Sequence, residues 1–302
     1  MSGGEIVPAV AKAAVAGAKK VVDDKADLST LQKLAAESAT MQVAAESYAR
    51  RVAVKQALLL KIYQPLARYL GVSRAYFDTD FHADMAGKLA GIPDEELVTP
   101  PLSLAIPAME GLSYSLTEPN LKKMYLNLLA TASDGRYSAH AHPAFAEIIK
   151  QLSPHEAEYL LEMLQETRPI VQLIRNVASG SFDYIDNHVL AIVDRKTGKL
   201  SDEPLTPVWV DNWIRLGLVT VDYTRVLTDE REYDWVERCP QYRRAIEGDE
   251  RGAASVSIGR GMLMRTAFGA RFHAAVTAGG LPSAEAGGSP LAPDRPGQNP
   301  SA

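Results

Sequence analysis

Two histidines one residue apart, His140 and His142, are the strongest sign of reactive chemistry in this sequence. They lie in a polar loop before Pro143, where alternate residues of an extended segment can direct two imidazole rings at one ion. A zinc site needs at least a third protein ligand, and only unanchored candidates such as Asp134 or Glu147 are close in sequence. We therefore expect His142 to hold the loop by hydrogen bonding, with metal binding or general-base chemistry at His140 and His142 as the alternative.

The remaining motifs do not form a reactive site. Gly259-Arg260-Gly261 lacks the Gly-x-x-x-x-Gly-Lys spacing of a phosphate-binding loop, and Ser179-Gly180-Ser181 has no recognisable base partner. Cys239 is the only cysteine, which excludes a disulfide or a thiolate metal cluster within one chain and fits a reducing cytoplasm. The sequence thus predicts no catalytic residue and no cofactor, and it favours a non-enzymatic cytoplasmic protein.

A helix predicted over Pro207–Leu216 raises the question of nucleic-acid binding. Its one arginine and one aspartate cancel, and the net charge of −5 provides no global attraction for nucleic acid. Trp209 and Trp213 lie four residues apart on one face, a spacing typical of a packed core and also of an aromatic hot spot in a protein interface. We therefore favour a position in the core for Trp209 and Trp213, with a protein interface as the alternative. The charge of this helix and of the whole chain disfavours nucleic-acid binding.

The N-terminal elements indicate helix association. Residues 1–27 include a weakly amphipathic Ala-rich helix, which we expect to pack against the next helix, with contact to a membrane surface as the alternative. Residues 28–70 repeat apolar positions at heptad spacing, interrupted by Pro65. This long helix pairs either with a second chain or a protein partner, or with residues 5–24 in a hairpin. No stretch of about 18 apolar residues predicts a transmembrane span.

The rest of the chain predicts a mainly α fold with a small α+β part. Residues 28–152 form an N-terminal helical bundle, and residues 153–277 form a winged-helix-like domain in which a helix precedes two strands. Strands are expected over Ile170–Val177, His188–Val193, Leu218–Leu227 and Val256–Arg265, with a solvated charged insert over 228–254. The Gly- and Pro-rich residues 278–302 are expected to be a disordered tail.

One string of residues is specific enough to suggest a family. His142-Pro143-x-Phe145, followed by Ile148-Ile149-x-Gln151-Leu152-Ser153-Pro154-x-Glu156-Ala157, resembles the abortive infection alpha (Abi-alpha) family of bacterial proteins. The resemblance extends over roughly residues 60–277. The positions that carry it in this chain, for which it implies a structural role, are Leu129, Asp134, His142, Pro143, Phe145, Gln151, Leu152, Ser153, Glu156, Ala157, Thr266, Phe268, Gly269 and Phe272.

The resemblance implies a mainly helical protein of antiviral defence, in which an infected cell shuts down or dies before phage multiply. It transfers no catalytic residue. Our first hypothesis is a phage-defence protein that acts through protein contact and oligomerisation; the alternatives are a nucleic-acid-binding winged-helix regulator and a metal-dependent hydrolase at His140 and His142. Arg265 stands where the family has an aliphatic residue, so the sequence does not establish which face of the last strand points inward.

Overall fold

The computed structural model describes residues 55, 63, 64, 66, 74–176, 181–194, 197–247 and 256–277. Six α-helices precede the first strand in the continuous range from residue 74. They are α1 (Arg74–Asp78), α2 (Asp80–Leu89), α3 (Leu102–Tyr114), α4 (Pro119–Ala132), α5 (Ala144–Lys150) and α6 (Pro154–Met163). None of the described helices is long and apolar enough to cross a bilayer.

The helix ends follow from local sequence. Pro119 occupies the first position of α4, where its missing N–H removes no helical hydrogen bond. Ser153 and Glu156 form the predicted capping box at the start of α6. Gly217, at φ 71°, ends the helix α7 (Thr206–Arg215) because a glycine adopts this left-handed conformation without steric cost.

Four strands form one antiparallel sheet in the order β2-β1-β4-β3. The strands are β1 (Arg168–Asn176), β2 (Phe182–Leu190), β3 (Val219–Asp222) and β4 (Val256–Arg265). Strand β4 pairs with both β1 and β3, and β2 is an edge strand whose pairing with β1 is irregular at two points. Helix α9 (Ala267–Val276), the last of the described helices, follows β4 directly. The fold is helix-rich with a small antiparallel sheet, which confirms the predicted fold class at this level.

The sheet separates two hydrophobic cores because successive side chains of a strand point to opposite faces. Ile170 and Leu190 contribute to the larger core, which includes the helices and extends from Tyr63 to Val276. Val171 and Val189 contribute to the smaller core on the other face. The larger core therefore includes residues from both sides of the predicted domain boundary at 152/153, and the division into domains stays a prediction.

The insert between β3 and β4 differs from the expected solvated segment. Over residues 228–247 it folds into two 3₁₀ turns, Glu230–Tyr233 and Val236–Arg238, and helix α8 (Pro240–Glu247). Tyr233, Trp235 and Cys239 are buried in the smaller core. The many charged residues of this segment make its few apolar residues hard to recognise in the sequence as core positions. Those apolar residues pack against one face of the sheet.

Two other predictions concern residues largely outside the described ranges. Of the heptad positions, Lys55 donates a hydrogen bond to the carbonyl of Ala90 at 3.1 Å, and Leu66 packs against the larger core. The remaining heptad positions, residues 1–27 and residues 278–302 lie outside the described residues. The N-terminal bundle as a whole and the winged-helix comparison stay predictions, although the order α7, β3, β4, α9 is the order expected for that part.

Candidate functional site

The histidine loop is positioned by the start of α5. The Nδ1 atom of His142 accepts a hydrogen bond from the backbone N–H of Ala144 at 3.1 Å. The His142 ring also contacts Phe145 and Phe268, with ring centroids 5.8 and 5.9 Å apart. In this structure His142 thus clamps the loop to the helix that follows it and to α9.

His140 is the other histidine of this loop. It ends the 3₁₀ turn Ser138–His140, and its Nδ1 atom is buried with no hydrogen-bond partner among the described residues. Within those residues, no group of three or more His, Cys, Asp or Glu side chains is arranged to hold a metal ion. Of the candidate ligands, Asp134 is paired with Arg136, and Glu147 is exposed on α5.

Asp134 stabilises the turn that follows α4. Its carboxylate accepts two hydrogen bonds from the guanidinium of Arg136, at 2.9 and 2.6 Å, and a third from the Arg136 backbone N–H. These bonds hold the pKa of Asp134 below its ordinary value. Nearby, the carbonyl of Leu129 accepts a hydrogen bond from Ser133. Both family-motif positions therefore serve the end of α4.

The motif Gln151-Leu152-Ser153-x-x-Glu156 joins α6 to α7. Glu156 is 4% exposed; one carboxylate oxygen accepts from the Ser153 backbone N–H at 3.0 Å and the other from the Asn212 side chain at 2.8 Å. The backbone carbonyl of Gln151 accepts another hydrogen bond from the Asn212 side chain, and the side-chain oxygen of Gln151 accepts one from Arg215. The specific part of the family string thus forms a polar joint between two helices.

The motif Thr266-x-Phe268-Gly269 fixes α9 to the turn after α7. The Thr266 hydroxyl donates to the carbonyl of Gly217 at 2.6 Å and accepts from the backbone N–H of Gly269 at 2.8 Å. A Cβ atom on Gly269 would lie 2.0 Å from the carbonyl oxygen of Leu218. Only glycine permits this close approach.

The neighbouring and remaining motif positions are also packing groups. Arg265 is exposed at the end of β4 and donates to the carbonyl of Leu164 at 3.1 Å, so it lies at the strand terminus and does not disturb the buried face. Pro143 precedes α5 as its N-terminal cap residue. The larger core contains the other positions, Phe145, Leu152, Ala157 and Phe272.

Trp209 and Trp213 both lie in the larger core. Trp209 is 4% exposed and stacks on Tyr159 with ring centroids 5.7 Å apart, while Trp213 is fully buried. Neither indole ring is available on the surface of this fold for a protein interface. The amphipathic face of α7 carries them inward, as the core interpretation of their spacing predicts.

A cluster of three titratable side chains, which we call the His188 cluster, joins β2, α7 and the residue after β3. The Nδ1 atom of His188 lies 2.9 Å from the hydroxyl of Tyr223, and its Nε2 atom lies 3.3 Å from a carboxylate oxygen of Asp211. The rings of His188 and Tyr223 stack at 5.9 Å. The three groups form a hydrogen-bonded chain in which His188 is central.

The backbone at this cluster is shaped to allow the contact. His188 has φ 56°, the one positive value among the described residues other than glycine, and it lies at an irregularity in the β1–β2 pairing. Tyr223 crosses β4 at Gly261, where a Cβ atom would lie 2.5 Å from the Tyr223 ring. A strained residue and a required glycine therefore both support one side-chain arrangement.

Burial in the cluster favours the neutral forms of His188 and Tyr223. Burial lowers the pKa of His188, and the effect of Asp211 opposes this shift. Burial also raises the pKa of Tyr223 to about 12. At neutral pH the Nδ1 atom of an uncharged His188 can accept a hydrogen bond from the Tyr223 hydroxyl, which keeps its proton, so Tyr223 is not activated as a nucleophile. The arrangement is suited to holding β2 in place.

Beside this cluster, the first half of β2 presents an exposed surface of three residues, Phe182, Asp183 and Tyr184, which we call the β2 surface. Phe182 is 57% and Tyr184 52% exposed, and their rings meet edge to face with centroids 5.6 Å apart. No described strand pairs with the outer edge of β2. Exposed aromatic side chains beside an unpaired strand edge are typical of a protein-binding surface.

Sequence reasoning missed both the His188 cluster and the β2 surface. His188, Asp211 and Tyr223 are distant in sequence, and no local motif links them. The predicted strand began at His188, whereas β2 begins at Phe182. The alternation of Phe182 and Tyr184 with aspartate was the available signal for the earlier start.

The fold and its motif contacts define a helix-rich protein with a small antiparallel sheet, in which the most specific sequence motifs act as helix caps and interhelical joints. A family model described as abortive infection alpha matches residues 73–276, and the chain belongs to this family. The resemblance inferred from the His-Pro-x-Phe and Gln-Leu-Ser-Pro-x-Glu-Ala residues is confirmed. No curated protein and no solved structure matches the chain.

Proposed function

We propose that this chain is a cytoplasmic phage-defence protein that acts by binding a protein partner and by oligomerisation rather than by catalysis. Its family membership supports the biological setting. The observation that carries the mode of action is the β2 surface, where two aromatic rings are more than half exposed beside a strand edge with which no described strand pairs. The family-motif residues, in contrast, make their contacts within the fold, as helix caps, hydrogen-bonding groups and core side chains.

The chemistry of the β2 surface defines the partner that it fits. The outer edge of β2 offers backbone N–H and C=O groups to an added strand, and Phe182 and Tyr184 offer apolar contact on alternate positions. Asp183 is exposed between them and adds negative charge to a chain of net charge −5. The partner is therefore an extended protein segment that alternates apolar and basic residues.

The regulator alternative has less support in the described surface. The outward residues of α7 include Val208, Asp211 and Ile214, none of which is positively charged. Arg215, the basic residue of this helix, donates hydrogen bonds to Gln151 and Asn212 within the fold. A winged-helix-like protein that used α7 to read DNA would need free cationic groups on this face.

The direct test is phage plating on cells that carry the gene or an empty vector. We expect fewer plaques with the wild-type gene, and recovery of plaque numbers by at least about tenfold when Phe182 and Tyr184 are both changed to alanine, since loss of two aromatic anchors costs roughly 1.4 kcal/mol or more of binding. Both side chains are exposed, so the purified double variant should retain its thermal midpoint.

The matched control is Tyr114→Ala, because Tyr114 is a 65% exposed aromatic residue on a different element, α3. This variant should protect cells as well as the wild type does. Full protection by the Phe182→Ala, Tyr184→Ala variant would exclude the β2 surface as the contact. Unchanged plaque numbers with the wild-type gene across a broad phage panel would contradict the defence role itself.

Oligomerisation is assigned to the heptad-patterned residues 28–70. Light scattering on the purified full chain measures its mass directly, and a monomer of 32.7 kDa at all concentrations would remove this part of the proposal. The partner contact at β2 would stand independently, because it uses different residues.

A further inference from the structure

The outer edge of β2 is regular over only a short length. The pairing of β2 with β1 keeps one register from Phe182 to Tyr184, and two irregularities follow before Val189. His188, at φ 56°, lies within the second of them. Such irregularities interrupt the backbone ladder and bend the strand, so an added strand finds a regular edge only at Phe182–Tyr184. A partner segment longer than this continues on another part of the surface.

The surface that continues from Tyr184 is the face of the sheet on which α7 packs. Residues opposite each other in an antiparallel pair point to the same face, as do alternate residues of one strand. Ile170 lies in the larger core with α7, so Ile174 and its partner Tyr184 are on this face. The ring of Tyr223 lies above Gly261, which is paired with Ile170. The β2 surface and the His188 cluster therefore share one face of the sheet.

At the border of this face, α7 presents a carboxylate without a counter-charge. The side chain of Asp211 is 71% exposed, and no lysine or arginine in the described part of the chain pairs with it. Its carboxylate lies 3.3 Å from Nε2 of His188, whose pKa is lowered by burial, so this neighbour is uncharged at neutral pH. Val208 and Ile214, three residues before and after Asp211, are exposed on the same side of the helix. This side of α7 thus offers an acidic group between two apolar ones.

From the short regular edge and the unpaired carboxylate, we infer that the partner segment turns from β2 onto α7 and places a cationic side chain against Asp211. This inference rests on the proposed function, because it extends the contact of the same partner. One part of the segment pairs with Phe182–Tyr184, and the next part crosses the sheet face beside Tyr223. An apolar neighbour of the cationic residue contacts Val208 or Ile214.

Charge complementarity selects the residue that meets Asp211. A neutral side chain at this point would cover the carboxylate without a counter-charge, and an acidic one would repel it. Lysine or arginine pairs with it. The basic residue at α7 is therefore distinct from those that alternate with apolar residues along β2.

The experiment selects binders from a displayed library of random peptides on the purified full chain. The enriched peptides are then synthesised, and their affinities are measured by fluorescence anisotropy. We expect sequences in which an alternating apolar and basic stretch is accompanied, at a fixed spacing, by a separate lysine or arginine. Replacing that residue by glutamine should weaken binding to the wild-type chain about fivefold, as expected for the loss of one exposed ion pair.

Variants of Asp211 test whether this residue is the partner of the cationic group. Asp211→Asn keeps the side-chain oxygen that faces His188, so it should retain the thermal midpoint and bind the lysine and glutamine peptides equally. Asp211→Arg should enrich an acidic residue at the same spacing, because the preferred charge is reversed. The matched control is Asp78→Arg, at an exposed aspartate of α1, which should select the same peptides as the wild type.

The possible outcomes separate this inference from the proposed function. If Asp211→Asn preserved the preference for lysine over glutamine, or if Asp211→Arg enriched the same sequences as the wild type, the inference would be wrong and the β2 contact would stand. The same holds if no peptide were enriched while the Phe182→Ala, Tyr184→Ala variant still lost protection in cells. Enrichment that this double variant retained unchanged, together with full protection in cells, would refute the β2 contact and the inference with it.

Discussion

The joint at Glu156 yields a stability prediction whose size follows from its contacts. Changing Glu156 to alanine removes the acceptor for the Ser153 backbone N–H at 3.0 Å and the acceptor for the Asn212 side chain at 2.8 Å. The hydroxyl of Ser153 still accepts from the backbone at position 156, so half of the capping box survives. The substitution therefore tests the carboxylate itself.

The expected loss is about 3 kcal/mol. A lost capping contact costs about 1 kcal/mol, and a hydrogen bond to a charged group contributes about 1.5–3 kcal/mol. For a folded unit of about 200 residues, each 1 kcal/mol lowers the thermal midpoint by roughly 2–4 °C. We thus expect Glu156→Ala to lower the midpoint by roughly 6–12 °C. Glu156→Gln keeps one acceptor oxygen and should lose about half as much.

Urea unfolding monitored by circular dichroism measures these free energies, and Glu147→Ala is the control because Glu147 is an exposed glutamate on α5. The control should change the free energy of unfolding by less than about 0.5 kcal/mol. A double-mutant cycle with Asn212→Ala should show a coupling of at least about 1 kcal/mol. If Glu156→Ala were as stable as the control variant, the joint between α6 and α7 would have no energetic role.

Two further predictions concern backbone fit and pH. Gly269→Ala should destabilise the fold by more than about 3 kcal/mol in urea unfolding, because the added Cβ would lie 2.0 Å from the carbonyl oxygen of Leu218. The control Gly87→Ala, which has open space around it in α2, should stabilise the fold by about 0.5–1 kcal/mol. If the two substitutions changed the free energy of unfolding equally, the close approach of Gly269 to Leu218 would be contradicted. Burial lowers the pKa of His188 below its ordinary 6.5, so the folded state resists protonation and loses stability as pH falls below about 6.5. His188→Asn, which tolerates the positive φ, should lose less stability between pH 7 and pH 5, and an equal loss would oppose this assignment.

Elements with local signals were predictable from sequence. The capping box at Ser153 and Glu156, the stop at Gly217 and the strand Val256–Arg265 all appear where the residues indicate them. Each of these signals acts within a few residues, because a cap satisfies backbone groups of its own helix and a glycine relieves strain at its own position. The family motif likewise identified residues of the α6–α7 joint, though not Asn212, the partner that gives Glu156 its second contact.

Contacts between distant segments could not be predicted in this way. His188 and Tyr223 are 35 residues apart, and their contact depends on an irregular strand pairing and on the space above Gly261. The charged insert was misjudged for a related reason: Tyr233 and Trp235 are buried only because the sheet presents a second apolar face. The sequence contains no signal for that face until the order of the strands is known.

The contact between α4 and α9 has a consequence for how the chain is made. Asn127 and Thr131 donate to the carbonyls of Val276 and Ala275, residues 149 and 144 positions later. In a nascent chain these two donors can reach their acceptors only after α9 has left the ribosome, and contacts of such long range slow folding. A chain that ends before α9 lacks both acceptor carbonyls, and it also lacks Phe272 and Ala275, which pack in the larger core.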